Sequence, residues 1–262
     1  MNIVVCIKQV PESKEVKINP KNGKIVREGV TNVINAQDKN ALEEALRLRE
    51  LHGGKISVIS MGPPQADSAL REALALGADE AYLLCDRAFG GADTIATSYV
   101  LACGIRKLGA FDLILCGTET IDGCTAQVGP MIAELLGIPH VMYVHKVQPG
   151  SGAVQVERTI DGADEELKAR LPALLTAVPQ LNSVRFTSLT GVLDAYNEGH
   201  VTVWSAADID LDPAKAGAAG SCTQTRSLNK VKTTRPPVHM LSGSVGEMAD
   251  ALAAQLEKSN LL

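Results

Sequence analysis

The chain has few aromatic residues: Phe, Trp and Tyr make up 3% of its 262 residues. Stacking on a flat ring or base needs aromatic surface. A ligand of that kind would therefore be held here by backbone and aliphatic contacts, or by a partner protein. No segment is dense in Lys and Arg, and the formal net charge is −5. The composition thus predicts no nucleic-acid-binding surface.

Long apolar runs are also missing. A membrane-spanning helix needs about 20 consecutive apolar residues, and no run approaches that length. The N-terminal segment, MNIVVCIKQVP, lacks the basic start and longer apolar region of a secretory signal. We therefore expect a cytoplasmic protein without a membrane span.

Metal and nucleophile motifs are absent as well. The six cysteines show no C-x-x-C spacing, so neither a disulfide framework nor a zinc site is indicated. His140 and His145 lie in a strand-like stretch without nearby cysteine or carboxylate partners, and we predict no metal there. The chain contains no G-x-S-x-G, H-E-x-x-H, Walker or G-x-G-x-x-G motif. No catalytic side chain is predicted.

Short β-branched runs alternate with amphipathic segments that a capping residue opens and a glycine closes. Strands are predicted at residues 2–8, 55–61, 81–85 and 112–116. Helices are predicted to begin near Asp38, Gln65 and Asp93 or Thr94, and then at Thr125 or at Gly129-Pro130. This order predicts an α/β fold with a doubly wound, mostly parallel sheet.

The character of the chain changes after residue 140. Residues 140–147 and 153–160 read as strands around a Pro-Gly-Ser-Gly turn, and another apolar strand follows a charged stretch. We expect a nucleotide-binding domain over residues 1–207. Residues 208–262 are rich in Asp, Pro, Ala, Gly, Ser and Thr, which predicts an extended arm closed by a helix at about residues 245–257. Such an arm would pack on a partner subunit.

Open α/β sheets bind ligands beyond the carboxyl ends of their strands, so the loops after Lys8, Met61, Cys85 and Cys116 are the candidate ligand loops. The richest is GTETIDGCTAQVGP, residues 117–130. Its glycines permit close backbone approach or positive φ, and amides entering a helix can bind an anion. A plain strand-to-helix turn explains the segment equally well. The loop DRAFGGADT, residues 86–94, reads more simply as a surface turn, and Cys124 as a small loop side chain rather than a reactive thiol.

A family resemblance runs along nearly the whole chain. The segments NIVVCIKQVP, GVTNVINAQDKNALEEALRL, ISMGPPQA, ALGADEAYLL and GTETIDGCTAQVG resemble the β subunit of electron-transfer flavoproteins in order and spacing. The stretch VERTIDGADEELKARLPALLTA, residues 156–177, resembles that family's signature, with Ala163 where Gly or an acid is usual.

The resemblance implies a bound nucleotide and a flavin cofactor that performs the chemistry. In simple members the site holds AMP, and in electron-bifurcating members it holds a second FAD that NADH reduces. The implied nucleotide and flavin residues are Cys6, Asn35, Ala36, Gln37, Asp38, Met61, Phe89, Gly90, Gly91, Asp93, Thr94, Gly117, Ile121, Asp122, Gly123, Cys124, Thr125, Ala126, Gln127 and Val128.

The DRAFGGADT loop and the TAQVGP stretch resemble the bifurcating group. Three departures stand against that: Cys124 replaces a usual aspartate, Ala36 replaces a usual proline, and Ser221-Cys222-Thr223 replaces Ser-Pro-Thr. The resemblance implies that electrons pass to ferredoxin or flavodoxin and to the FAD of a large (alpha) subunit. It also implies that an acyl-CoA dehydrogenase-like partner docks at a loop around residues 185–193, with Leu189 as anchor.

Two alternatives remain open at this point. One is a non-bifurcating electron carrier with structural AMP in the same site. The other is a free-standing adenylate-binding regulator of the universal-stress type. Both would use the same strand-end loops.

Overall fold

A computed structural model of the chain describes residues 1–12, 17–18, 25–26, 32–197, 200–224 and 238–262. The predicted helix at residues 245–257 lies within them, whereas residues 225–237 of the predicted arm lie outside. The chain divides into two compact units, Met1–Arg226 and Ser227–Leu262. This division lies beyond the predicted boundary after residue 207, because Ile209 and Ala216 are buried in the core of the first unit. Packing of the arm on a partner stays a prediction.

The first unit is built on a nine-stranded sheet. Its strands are β1 (Asn2–Cys6), β6 (Lys55–Met61), β7 (Glu80–Leu84), β8 (Leu113–Gly117), β9 (His140–Gly150), β10 (Ala153–Ile160), β11 (Ala163–Arg170), β12 (Ala173–Ala177) and β13 (Val201–Trp204). Two small two-stranded sheets pair β2 (Gln9–Pro11) with β5 (Asn32–Ile34) and β3 (Lys17–Ile18) with β4 (Ile25–Val26).

Seven α-helices are described. They are α1 (Ala36–His52), α2 (Asp67–Leu76), α3 (Thr94–Leu108), α4 (Val128–Leu136), α5 (Leu189–Asn197), α6 (Gly217–Gly220) and α7 (Val245–Lys258). Short 3₁₀ turns at Pro64–Ala66, Arg87–Phe89, Pro179–Leu181 and Pro213–Lys215 complete the connections. None of the described helices is long and apolar enough to cross a membrane.

The sheet order is β11-β10-β9-β12-β8-β1-β6-β7-β13. Strands β9, β12, β8, β1, β6, β7 and β13 pair in parallel, and the β9–β10–β11 end is antiparallel. From β1 the chain first adds β6 on one side and later β8 on the other. The carboxyl ends of β1 and β8 therefore form a topological switch point, where sheets of this kind bind ligands.

Strand periodicity explains why helices cover both faces of the sheet. Successive side chains of a strand point to opposite faces, and in β1 this sends Ile3 and Val5 into one core and Val4 and Cys6 into the other. The first core contains side chains of α1 and α2, and the second contains side chains of α3 and α4. The predicted doubly wound α/β fold is confirmed.

Several local expectations were wrong. Asp38 does not cap α1, which begins at Ala36 with Asn35 in the N-cap position, because the Asp38 carboxylate is used elsewhere. Helix α4 begins at Val128, between the two predicted starts. The charged stretch before β12 is itself strand β11, whose polar side chains are tolerated because the strand lies at the sheet edge.

The second unit contains α7, which begins within two residues of where its sequence pattern places it. Ser244 caps the helix in a capping box: the Glu247 amide donates to Ser244 Oγ at 3.4 Å, and the Ser244 amide donates to Glu247 Oε2 at 2.7 Å. Satisfying these amides reciprocally fixes where the helix starts. This side-chain signal explains why its N-terminus was predictable.

Candidate functional site

Two adjoining cavities open at the carboxyl ends of the parallel strands. The smaller, of about 380 Å³, lies between the ends of β1 and β8 and the first turns of α3 and α4. The larger, of about 640 Å³, lies beside the ends of β6 and β7. Met61 and Ala92 line both cavities, so the two can hold the two ends of one extended ligand.

The buried carboxylate of Asp38 joins the strands that flank the smaller cavity. Its Oδ2 accepts a hydrogen bond from the Lys8 amide at 2.8 Å, and its Oδ1 accepts one from the Gly117 amide at 2.9 Å. Burial raises the pKa of Asp38 from 3.8 to about 6, although these hydrogen bonds act in the opposite direction. Asp38 therefore ties the end of β1 to the end of β8 from beneath the cavity.

Gly117 is needed here for space rather than for its φ angle. A Cβ at this position would lie 2.5 Å from Asp38 Oδ1 and 2.8 Å from the Cβ of Gln37. The expected positive φ values in this loop fall instead on Cys124 (48°) and Ala126 (52°). This left-handed backbone conformation costs a residue other than glycine about 1 kcal/mol or more of free energy. Contacts elsewhere in the loop must therefore stabilise it.

Polar side chains that precede and open α1 hold the first part of the same loop. Asn35 is fully buried, donates from Nδ2 to the Glu119 carbonyl at 2.9 Å and accepts from the Ile121 amide at 3.2 Å. The Glu119 amide donates to Gln37 Oε1 at 3.1 Å. These two residues therefore shape the loop after β8 from below rather than line the cavity.

A salt bridge and a side-chain hydrogen bond hold the outer part of the same loop. Lys8 Nζ lies 2.7 Å from a carboxylate oxygen of Asp122. Although burial raises the pKa of Asp122, hydrogen bonds from Lys8 and Thr120 lower it overall. Thr94 Oγ1 donates to Gln127 Oε1 at 2.9 Å, which joins the start of α3 to the residue before α4. The loop is thus anchored at both ends.

The N-terminus of α4 lies at the smaller cavity. The first amides of a helix have no intrahelical acceptor, and no side chain caps α4. Gln127, Val128 and Gly129 all line the smaller cavity. The dipole and the free amides of this helix favour a phosphate group there, and the Lys8 charge, already paired with Asp122, contributes less.

Two thiols lie side by side in the wall of the smaller cavity. Cys6 and Cys116 are direct partners in the β1–β8 register. Burial, together with the nearby Asp38 carboxylate, raises the pKa of Cys6 to about 12, and burial raises that of Cys116 as well. Both are neutral thiols near pH 7, so they act as small apolar wall atoms rather than nucleophiles. Among the described residues no cluster of three or more His, Cys, Asp or Glu could hold a metal ion.

The larger cavity has a mostly apolar lining. Its wall includes the Gly62-Pro63-Pro64 segment after β6 and the Gly90-Gly91 segment after β7. Gly91 has φ of 75°, a conformation open to glycine. Of the described residues that line this cavity, only Phe89 is aromatic, in keeping with the low aromatic content. A flat ring would be held there by backbone and aliphatic atoms.

The structure brings most of the predicted site residues to these cavities. Those lining the smaller cavity are Cys6, Asp38, Met61, Asp93, Thr94, Gly117, Gly123, Thr125, Ala126, Gln127 and Val128. Those lining the larger one are Met61, Phe89, Gly90 and Gly91. Asn35, Ala36, Gln37, Ile121, Asp122 and Cys124 line neither. For every one of the predicted site residues, in either cavity or in neither, the role as a ligand contact stays a prediction.

Several lining residues were not predicted individually. They include Lys8, Ala92, Thr97, Leu101 and Ile132 in the smaller cavity and Gly62, Pro63, Pro64 and Arg87 in the larger. Lys8 is the last residue of a predicted strand, and Gly62 and Arg87 follow the ends of two others, so the strand-end argument covered these regions. Leu101 and Ile132 lie inside α3 and α4, and only helix packing places them at the cavity.

The predicted docking segment is partly helical. Leu189 begins α5 and its side chain is 77% exposed. Phe186, three residues before it, is also exposed. Arg185, at the other end of the segment, is fixed by ion pairs to Glu43 and Glu50 of α1. The exposed Leu189 is thus presented by an anchored segment, and its role in docking stays a prediction.

Comparison with known proteins gives strong matches. The family model described as electron transfer flavoprotein domain matches residues 22–209. The chain is 47% identical to an electron transfer flavoprotein subunit beta of Clostridium acetobutylicum, over 100% of both chains. It is 45% identical to the caffeyl-CoA reductase-Etf complex subunit CarD of Acetobacterium woodii, over 100% of both chains. It is 43% identical to protein FixA of Azorhizobium caulinodans, over 98% of this chain and 94% of that one.

Proposed function

We propose that the two adjoining cavities of this chain together hold one FAD. The premise is that the chain belongs to the electron transfer flavoprotein family, as a beta subunit. The observation that carries this proposal is that the two cavities adjoin through Met61 and Ala92, and that only the smaller one is lined by the uncapped N-terminus of α4. Each volume lies within the usual range of ligand pockets, roughly 300–1,000 Å³. An adenylate alone would occupy only the smaller one.

The smaller cavity suits the adenylate end of the cofactor. The uncapped N-terminus of α4 offers amides to the phosphates. Gly117, whose missing Cβ makes room for Asp38, contributes to the wall of this cavity. The hydroxyls of Thr118 and Thr125 are among the polar groups in its wall.

The larger cavity suits the ring end. Pro63, Pro64, Gly90 and Gly91 line it with aliphatic and backbone atoms, against which an aromatic ring can lie. FAD bound there would supply the redox chemistry: acceptance of hydride from NADH and release of single electrons, one toward ferredoxin or flavodoxin and one toward the FAD of the large subunit. The residues of this chain hold and orient the ring, and they exclude water from it.

The partners are proposed on two grounds. One relative is named as a subunit of a caffeyl-CoA reductase-Etf complex, which supports an acyl-CoA dehydrogenase-like enzyme as a partner of this chain too. The exposed Leu189 at the start of α5 supplies an apolar contact for it. A large alpha subunit would complete the ring pocket, whose described lining has a single aromatic side chain.

The principal alternative is a simple electron carrier with AMP in the smaller cavity. The existence of the larger cavity beside it, at about 640 Å³, favours FAD. A free-standing regulator of the universal-stress type is disfavoured by the family match over residues 22–209.

Acid-released nucleotide from the purified complex with the large subunit separates these functions. Two FAD per heterodimer and flavin bleaching in an anaerobic NADH titration are expected. One FAD and one AMP per heterodimer, without bleaching by NADH, would establish the simple carrier. A stable monomer that binds ATP and no flavin would establish the regulator.

A further inference from the structure

The carboxylate of Asp93 connects two parts of the chain that are far apart in sequence. Its Oδ1 accepts from the amides of Ile95 at 3.0 Å and Ala96 at 3.1 Å, which caps α3. Its Oδ2 accepts from the amide of Cys222 at 2.8 Å and from the amide and hydroxyl of Thr223 at 3.1 and 3.2 Å. Five donors thus surround a single carboxylate.

Further contacts bind the same part of the arm to the same loop. We call residues 216–223 the arm root. Ser221 Oγ accepts from the Asp93 amide at 2.8 Å and donates to the Gly217 carbonyl at 2.8 Å. The amide of Ala218 donates to the carbonyl of Gly90 at 3.0 Å. The arm root is therefore hydrogen-bonded along the length of the 90–93 loop.

The packing between the arm root and the loop leaves no space for larger side chains. A Cβ on Gly217, which has φ of +55°, would lie 2.0 Å from the Ala88 carbonyl oxygen. A Cβ on Gly91 would lie 3.2 Å from the Cβ of Ala218. The arm root and the loop are therefore in close contact, and displacement of the arm root would remove the packing and hydrogen bonds that hold the loop in this position.

The loop in question lines both cavities. Gly90 and Gly91 line the larger one, Asp93 and Thr94 line the smaller one, and Ala92 lines both. The first unit of the fold ends at Arg226, three residues after Thr223. Between the arm root and the end of this unit only Gln224 is described.

We propose that Asp93 is a positioning residue, which clasps the arm root onto the 90–93 loop and thereby couples the order of the arm root to ligand binding in the larger cavity. The five donors leave the Asp93 carboxylate little capacity to accept a hydrogen bond from a ligand. This proposal differs from the role that the sequence resemblance implies for Asp93, which is a direct contact with the cofactor. The clasp itself stands on the geometry alone, and only its coupling to FAD rests on the proposed function.

The clasp is tested by hydrogen exchange on the full chain in complex with its large subunit. Asp93→Asn keeps the cap of α3, because Asn is as good an N-cap as Asp, but it presents an amide NH₂ to the donors of the arm root. Loss of one or more net hydrogen bonds there is expected to speed exchange of the Cys222 and Thr223 amides by at least about tenfold. The Ile95 and Ala96 amides should change by less than about threefold.

A matched control is Asp212→Asn. The Asp212 side chain caps the neighbouring 3₁₀ turn through the Ala214 amide at 3.0 Å and lines neither cavity. This variant should leave exchange at Cys222 and Thr223 unchanged. If the Cys222 and Thr223 amides exchange as slowly in Asp93→Asn as in the wild type, the clasp is refuted.

The coupling is tested with FAD and AMP as separate probes of the same complex. Asp93→Asn should lower the affinity for FAD by about tenfold and the affinity for AMP by less than about threefold. The reason is that only FAD extends into the cavity lined by Gly90 and Gly91. Reciprocally, FAD should slow exchange at Cys222 and Thr223 in the wild type and not in the variant. Equal weakening of FAD and AMP would make Asp93 an adenylate contact and refute the positioning role. Failure of the wild-type site to bind FAD would refute the proposed function, while the exchange data would still decide on the clasp.

Discussion

The buried Asp38 carboxylate should make the stability of this protein fall as the pH rises through the mildly acidic range. Two opposing effects act on it. Burial disfavours the charged form, while hydrogen bonds from the Lys8 and Gly117 amides favour it. Burial is the stronger of the two, and the pKa of Asp38 rises from 3.8 to about 6 in the folded protein.

The sign follows from proton linkage. With the folded-state pKa above the unfolded one, the folded protein binds more protons between these values, so rising pH favours unfolding. The difference between 3.8 and about 6 corresponds to about 3 kcal/mol, of which about 2 kcal/mol falls between pH 4.5 and 8. Asp38→Asn removes this dependence, at a pH-independent cost of about 1 kcal/mol or more for the lost acceptor.

Urea denaturation of both proteins at several values between pH 4.5 and 8 measures the effect. The free energy of unfolding of the wild type should drop by about 2 kcal/mol relative to Asp38→Asn over this range. The control Asp164→Asn removes an exposed carboxylate from β11 and reports the effect of a similar charge change far from the site. If the wild type instead gains stability over the variant as the pH rises, the two backbone hydrogen bonds outweigh burial and the reasoning is wrong.

Two further predictions concern packing and docking. Gly117→Ala places a Cβ 2.5 Å from Asp38 Oδ1 and should lower the free energy of unfolding by about 1–3 kcal/mol. The control Gly246→Ala has no atom within 4 Å of the new Cβ and should instead stabilise its helix by about 0.5–1 kcal/mol. Thermal unfolding of the two variants compares their stabilities. Leu189→Ala should raise the KM for the dehydrogenase-like partner by about tenfold without changing the melting temperature. The control Leu51→Ala changes an equally exposed leucine (both 77%) and should leave this KM unchanged. Equal KM values for the two variants would rule out Leu189 as the docking anchor.

The sequence by itself determined the order of the core elements. Short β-branched apolar runs predict β1, β6, β7 and β8, and the capping carboxylate of Asp93 predicts the start of α3, because these signals are local. The strand-end rule then located the loops of both cavities before any contact was known. The DRAFGGADT loop, which by itself reads as a surface turn, forms part of both cavity walls.

Tertiary structure alone decided what several of the predicted residues do. Asp38 reads as a helix cap in sequence, but the fold carries it to amides that are 30 and 79 residues away along the chain. Asp93 is a cap in sequence, and the fold adds three donors from Cys222 and Thr223. Local patterns encode hydrogen bonds within one or two turns, whereas these partners meet only after the sheet forms and its loops converge. A carboxylate's neighbours, and therefore its pKa and its role, are a property of the assembled fold.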